Sequence, residues 1–314
     1  MTTRIRAVRR DEVPAVFDLL AQAFPEATRA LFVAQTEHDS TFRLRHGRVA
    51  VVDGEIAGYV RIFARTMLVR GVPVAAGGIG SVATRSDARG GGIATALMRD
   101  AVQQMRREGM VVSFLFTGIP SFYERVGYRV VRQPYFEADA HEAAVTPNDG
   151  LYDLRAVCPT DDRAIVRIRQ SAVAGTTGVV VQTLRTLRDA RNWLEEDDGG
   201  GFVAERAARP VAYLRSRCRG YGHQILETEC LPHHDGAIAA LLAAAGRRAV
   251  ADGERIVVSA PDDHPLATLL RTLPSTLETK NFRYPMMVRS LRDDVTLDAA
   301  FDAEPLHFWT TDRI

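Results

Sequence analysis

Residues 82–94 read Val82-Ala83-Thr84-Arg85-Ser86-Asp87-Ala88-Arg89-Gly90-Gly91-Gly92-Ile93-Ala94. The apolar run from about Ala76 to Thr84 predicts a strand, and Arg85 to Gly92 a loop carrying three successive glycines. A helix follows, with Ile93, Ala94, Leu97, Met98, Ala101, Val102 and Met105 on one face and Arg99, Asp100, Gln103, Arg106 and Arg107 on the other, until Gly109 stops it. Glycines between a strand and a helix let backbone N–H groups approach an anion, and the helix N-terminus adds a favourable field. A pyrophosphate suits such a place; a flexible turn is the plain alternative, since a glycine run alone is a weak signal. Two familiar phosphate loops do not match. A dinucleotide fingerprint starting at Gly90 would place glycine where Thr95 stands, and a P-loop needs Gly-Lys-Ser/Thr, whereas the one lysine is Lys280.

Outward from this unit, Arg4 to Val8 predicts a strand, and Val13, Val16, Phe17, Leu20 and Phe24 have the spacing of one helical face. Arg48 to Asp53 and Glu55 to Leu68 meet at Asp53-Gly54, a hairpin signal, and Gly71-Val72-Pro73 marks a second turn. Downstream, Met110 to Thr117 is a continuous apolar run fitting a buried central strand, and Ser121 to Val126 a short helix closed by Gly127. Residues 139–150 turn polar and lose periodicity, which predicts a linker between a first domain, 1–138, and a second, 151–292, with a tail, 293–314.

The second half repeats the first. Val203-Ala204 through Ala212-Tyr213-Leu214-Arg215 matches Val49-Ala50 through Gly58-Tyr59-Val60-Arg61, and Ala239 to Gly253 then Ile256-Val257-Val258 mirrors Thr95 to Gly109 then Val112-Ser113-Phe114. Agreement in order and spacing points to an internal duplication. The glycine loop is lost in the copy, where Leu231-Pro-His-His-Asp-Gly236 stands instead.

Val82-Ala83-Thr84, Arg89-x-x-Gly92-x-Ala94, the amphipathic helix, the strand Val111 to Thr117 and Phe122-Tyr123-Glu124-Arg125-Val126-Gly127-Tyr128 together resemble the GCN5-related N-acetyltransferase (GNAT) superfamily, over roughly Arg4 to Val131. The wider layout resembles its Eis (enhanced intracellular survival) type, an active first GNAT domain and a degenerate second one. Eis proteins carry a further sterol-carrier-like domain, for which this length leaves no room. The resemblance implies an α/β (α+β) fold of two tandem GNAT-like domains, each a mixed, mostly antiparallel sheet flanked by helices. It implies acetyl-CoA as cosubstrate, with the backbone of Val82, Ala83 and Thr84 pairing with the pantetheine arm. Arg89, Gly90, Gly91, Gly92, Ile93 and Ala94 would hold the pyrophosphate. The chemistry agrees, because pantetheine is an amide-bearing chain that a free strand edge recognises.

Tyr123 stands where GNAT proteins commonly face the thioester sulfur, so the resemblance implies that it assists the leaving thiolate; core packing is its plain alternative. The base is open. Gly77-Gly-Ile-Gly-Ser-Val-Ala-Thr84 carries no carboxylate, and Eis-type proteins bring the terminal carboxylate to the site, which implies Ile314 here. Phe308, Trp309 and Ile314 are costly to leave in water and predict that the tail docks. Glu37, His38 and Asp39 are the other candidates, as a base, a substrate patch or a solvated loop. The implied reaction moves an acetyl group from acetyl-CoA to a small-molecule or peptide amine by direct attack. The rival is a non-catalytic acyl-CoA-binding or regulatory protein.

Composition excludes several classes. At 314 residues, two domains are expected. A hydrophobic fraction of 46% and a charged fraction of 25% exclude disorder and low-complexity scaffolds. A net charge of +1 argues against nucleic-acid or anionic-membrane binding through bulk field. With Lys280 the one lysine among 40 basic residues, arginine-rich composition fits high-GC bacterial coding. Cys158, Cys218 and Cys230 suggest neither a disulfide framework nor a thiolate zinc site, and His233-His234-Asp235 reads as a solvent-facing turn rather than a metal site. Glu195-Glu-Asp-Asp198 reads as a solvated loop or an attractor for a cationic acceptor. The longest stretches without charge, Gly109 to Tyr123 and Gln170 to Leu184, fall short of the roughly 20 residues that span a bilayer, and no apolar leader follows Met1, so a cytoplasmic protein is expected. A homo-oligomer is compatible with all of this.

Overall fold

The computed structural model describes residues 3–147, 150–193, 200–219, 221–279, 284–292, 300–301 and 306–312. The first part runs β1 (Thr3–Ala7), α1 (Val13–Ala23), α2 (Arg29–His38), β2 (Gly47–Val52), β3 (Glu55–Val69), β4 (Val72–Thr84), α3 (Ile93–Arg107), β5 (Val112–Phe116), α4 (Pro120–Glu124), β6 (Arg129–Val130), β7 (Tyr135–Ala138) and α5 (Ala140–Ala144). The second runs β8 (Asp153–Ala156), α6 (Asp162–Ala172), α7 (Leu184–Trp193), β9 (Gly200–Arg206), β10 (Arg209–Arg219), β11 (Gly222–Cys230), α8 (Gly236–Asp252), β12 (Ile256–Ser259), α9 (Pro265–Thr272), β13 (Leu277–Thr279) and β14 (Met286–Ser290).

Among the described residues these strands make two seven-stranded sheets, β1-β2-β3-β4-β5-β14-β6 and β8-β9-β10-β11-β12-β7-β13. Each is antiparallel except for one parallel pair, β4 with β5 and β11 with β12. The expected mixed, mostly antiparallel sheets flanked by helices are therefore present twice. The repeat extends to turn geometry: Asp53-Gly54 turns with both φ positive, as the Asp-Gly signal implies, and at the matching place Ala207 and Ala208 hold φ of 49° and 58° without glycine's freedom. The turn between β3 and β4 falls on Arg70-Gly71, earlier than Gly71-Val72-Pro73, because Pro73 already pairs with Leu68 inside the ladder.

Sheet membership departs from the segments read along the chain. β7, the end of segment 1–138, lies between β12 and β13 of the second sheet, and β14 lies between β5 and β6 of the first. Each half thus completes the other's sheet. Within 139–150, α5 is ordered structure: Asp139 caps it through His141 and Glu142 N–H, and it lies flush on α8. A Cβ at Gly246 would stand 2.3 Å from the Ala144 backbone nitrogen, so helix meets helix without an intervening side chain. Gly246→Ala should therefore lower stability by about 2 to 3 kcal/mol, seen as a fall of several degrees in Tm, since backbone cannot give way as a side chain tip can.

The helices cover opposite faces of each sheet. α3 buries Leu97, Met98, Ala101 and Met105 against Val60, Ile62, Ile79 and Leu115, while α1 and α2 pack Val16, Leu20 and Phe32 against Val49, Tyr59 and Ala83. α8 and α6 do the same for the second sheet with Leu241 and Ile238, and Ile165 and Ile168. Between the halves, the end of β3 is joined by residues 176–181: Leu68 N–H donates to Val179 O, Gly178 N–H to Leu68 O and Val181 N–H to Thr66 O, all at 2.8 to 2.9 Å. Met67, Phe114, Val180, Phe301, Leu306 and Phe308 form a shared apolar core there.

Candidate active site

β4 and β5 pair only at Ala76 with Val112, Gly77 with Ser113 and Gly78 with Phe114. Beyond Gly78 the two strands part. β5 continues along β14, and β4 continues along β3 alone, with one extra residue between the pairs Arg61–Gly80 and Tyr59–Ala83. Ser81 takes up that bulge with φ of 52°, and the bulge re-aims Val82, Ala83 and Thr84. Among the described residues, these three therefore lie on the stretch of β4 that has β3 on one side and no strand of the sheet on the other.

The glycine loop leads from this edge into α3. Gly90 and Gly92 have φ of 81° and 77°, conformations that L side chains avoid, and Gly92 is the N-cap of α3 without a side-chain cap and without an acidic residue in the first turn. Ala96 N–H makes the first helical bond, to Gly92 O, so the N–H groups of Ile93 and Ala94 precede the ladder. Arg89 is exposed and donates from Nε to Thr84 O at 3.3 Å, which sets a guanidinium beside the loop. A notch between parted strands, ending at an uncapped helix N-terminus with a neighbouring arginine, is suited to an extended amide chain carrying a pyrophosphate.

Tyr123 is on α4, buried, edge-on to Phe122 at 4.8 Å and to Tyr128 at 6.2 Å, and in one apolar cluster with Ile79, Ile93 and Leu97. Burial pushes its hydroxyl up to about 12. α4 is tied to the base of the notch: the Tyr128 hydroxyl bonds Ser113 Oγ at 2.7 Å, and Ser113 Oγ donates to Gly77 O at 2.9 Å. The sequence thus brings Tyr123, β4 and the start of α3 together.

The other candidates separate. Asp39 is buried and held by Arg61 at 2.9 Å and Arg65 at 3.3 Å, with Thr41 N–H and hydroxyl also donating to it; Arg65, the Thr41 hydroxyl and Arg61 keep its carboxyl below the ordinary range against the opposing effect of burial. So committed, it is a poor base. Glu37 and His38 are exposed at the end of α2. Ile314 and Glu195 to Asp198 lie outside the described residues. His233 is exposed on its turn, and among the described residues no three His, Cys, Asp or Glu side chains are placed to hold a metal ion. Among them, too, no helix is long and apolar enough to cross a membrane.

A cavity of about 240 Å³ lies between the halves. Asp39 and Arg65 come from the first, Asp189 and Arg215 from the second, and Thr310, Thr311 and Asp312 from the tail. Asp189 accepts from Ser40 N–H at 3.1 Å and from its hydroxyl at 2.5 Å, which ties α7 to the end of α2. Asp312 is fully enclosed, accepting from Arg169 at 2.5 Å, Val180 N–H at 3.2 Å and Trp309 N–H at 2.8 Å; burial raises its carboxyl to about 6, the Arg169 guanidinium opposing. Reading along the chain missed this wall. The one signal was Glu227-Thr228-Glu229 directly after the apolar Ile225-Leu226, two carboxylates that need partners if buried.

Residues 4–131 match the family model described as an acetyltransferase (GNAT) domain. A curated N-acetyltransferase of uncharacterised role from Streptomyces avermitilis is 28% identical over 240 residues, 70% of this chain; that alignment spans 56% of the relative's length. A GCN5-related N-acetyltransferase from Anabaena variabilis superposes with a TM-score of 0.75 at 15% identity, covering 93% of this chain and 73% of the other. Eis1 from Mycobacterium abscessus superposes with a TM-score of 0.66 at 20% identity, covering 92% and 74%. Residues 4–131 of this chain thus match a GNAT acetyltransferase domain, and the fold, with its sheet repeated across both halves, is like that of Eis1.

Proposed function

We propose that the chain moves an acetyl group from acetyl-CoA to an amine held in the cavity between the halves, by direct attack on the thioester. The observation that carries this reading is the open notch of the first sheet, which ends at the uncapped glycine N-terminus of α3 and shares its core with Tyr123. The pantetheine arm lies along Val82 to Thr84 and the pyrophosphate on Arg89 to Ala94. No covalent enzyme intermediate is required, because the thioester is already activated and the protein has only to align the amine, accept its proton and stabilise the thiolate. The glycine loop has no counterpart before α8, so the second half shapes the acceptor side. Free thiol release from acetyl-CoA, with and without a panel of an aminoglycoside, spermidine, lysine and a short peptide, tests the reading. Release that depends on an amine supports it; CoA binding without release with any amine favours the non-catalytic rival.

Tyr123 serves the leaving group through a hydrogen bond rather than full proton transfer. With its hydroxyl at about 12 and a thiol near 8.5, complete transfer is uphill by about 5 kcal/mol, whereas a donor aimed at developing charge still lowers the barrier. Tyr123→Phe keeps the ring and its packing, so kcat should fall about 10²-fold with KM for acetyl-CoA little changed. Wild-type kcat in that variant would leave Tyr123 a core residue.

A further inference from the structure

The second sheet repeats the notch. β11 and β12 pair only at His223 with Ile256, Gln224 with Val257 and Ile225 with Val258, then part, again with a one-residue bulge on the longer strand just beyond. In the first half no strand among the described residues enters the corresponding space; in the second, residues 306–312 run from one side of it to the other. On the β11 side, Trp309 Nε1 donates to Glu229 at 2.7 Å, His307 Nε2 bonds the same oxygen at 2.6 Å, and the Thr311 hydroxyl and Arg169 both bond Glu227. On the β12 side, Gln133 Nε2 donates to Phe308 O at 2.7 Å and to Ser259, the last residue of β12, at 3.2 Å. His264, which caps α9, stands edge-on to the Trp309 ring at 5.0 Å. That ring is fully buried in the cluster of Ile238, Leu241 and Leu266, so Trp309 reaches through the gap from the carboxylates to the core beneath α8.

Filling a gap needs only apolar side chains. Glu227 and Glu229 are instead fully buried carboxylates, expensive unless partnered; Arg169, Arg215 and Thr311 serve Glu227, and His307, Trp309 and His264 serve Glu229. Sliding the tail by one residue would take His307 and Trp309 from Glu229 and Thr311 from Glu227, leaving them to His264, Arg169 and Arg215 alone, so this network favours one register. That register decides which tail atoms face the cavity: Thr310, Thr311 and Asp312 line it, whereas Glu229 and Trp309 do not.

We propose that the notch of the second half, bereft of its cofactor loop, is a socket for the chain's own C-terminal segment, and that Glu229 and Trp309 are positioning residues that thereby build one wall of the acceptor cavity. The assignment of the cavity to the acceptor rests on the function proposed above; the docking itself does not. The test compares full-length Glu229→Gln, Trp309→Phe and Trp309→Ala with the unaltered chain by three measurements: hydrogen exchange, calorimetric acetyl-CoA binding, and KM for the most active amine of the panel. In Trp309→Ala, exchange over residues 306–312 and over Val180 to Gln182 should rise together about tenfold, and acceptor KM about tenfold, with acetyl-CoA affinity unchanged. Trp309→Phe, which keeps a ring and loses one N–H, and Glu229→Gln, which keeps an acceptor and loses the charge, should fall between. A tail that exchanges no faster refutes the socket. A loosened tail with unaltered Val180 to Gln182 exchange or unaltered acceptor KM refutes its role in the wall, and equal loss of acetyl-CoA and acceptor binding reduces the network to a fold element. Should no amine be acetylated by the unaltered chain, the proposed function fails while the exchange measurements still decide the socket and its coupling to the cavity wall.

Discussion

Expressed alone, residues 1–138 should not fold cooperatively, although they include the whole GNAT match over residues 4–131. Their sheet lacks β14, whose Met286, Met287 and Val288 are at most 2% exposed between β5 and β6. Three such side chains contribute about 2 kcal/mol each, about 6 kcal/mol in all, against a total stability for a domain of roughly 5 to 15 kcal/mol. The loss also bares the backbone edge of β5 beside Phe114 and Leu115, an invitation to aggregate. β7, meanwhile, has no sheet to join. The expected result is a broad thermal transition and soluble aggregates on size exclusion. Fusing residues 284–292 to the fragment through a flexible linker should restore a sharp transition. A fragment that melts sharply without them would show that β14 is dispensable.

Gly91→Glu should remove CoA binding while leaving Tm near that of the unaltered chain. Unlike Gly90 and Gly92, Gly91 does not have a positive φ, and a Cβ there would stand 3.7 Å from Ala88 O, an ordinary contact. The substitution therefore adds charge without backbone strain. A carboxylate about 5 Å from one phosphate charge costs about 3 kcal/mol at an effective dielectric of 20, so affinity for CoA should fall at least about 10²-fold in calorimetry. Gly91→Ala is the control and should bind normally. Gly92→Ala should differ from it, since holding a left-handed conformation without glycine costs about 1 to 2 kcal/mol and deforms the cap of α3 itself. Normal binding by Gly91→Glu would exclude the loop from the cofactor site.

Much of this protein is local in its chemistry and so legible along the chain. Asp53-Gly54 sets a hairpin because both residues tolerate positive φ, and the α3 stripe from Ile93 to Met105 sets a helix face because its apolar residues recur with the helical period. The glycine loop and the Phe-Tyr motif belong to the same class, each a short pattern with its meaning in adjacent residues. Which strand completes which sheet does not. β7 and β14 are short strands of mixed composition that would suit either half, and only the packing of both sheets decides that they exchange, because a buried strand is specified by its neighbours rather than by its own period. The same reason hid the cavity between the halves. Asp39 looks like a free acid until Arg61 and Arg65 close on it, and Glu227 and Glu229 look misplaced in a buried strand until the tail, nearly 80 residues on, brings His307, Trp309 and Thr311 to them. A buried charge is defined by partners that the chain supplies from afar, and only the tertiary structure puts them within reach.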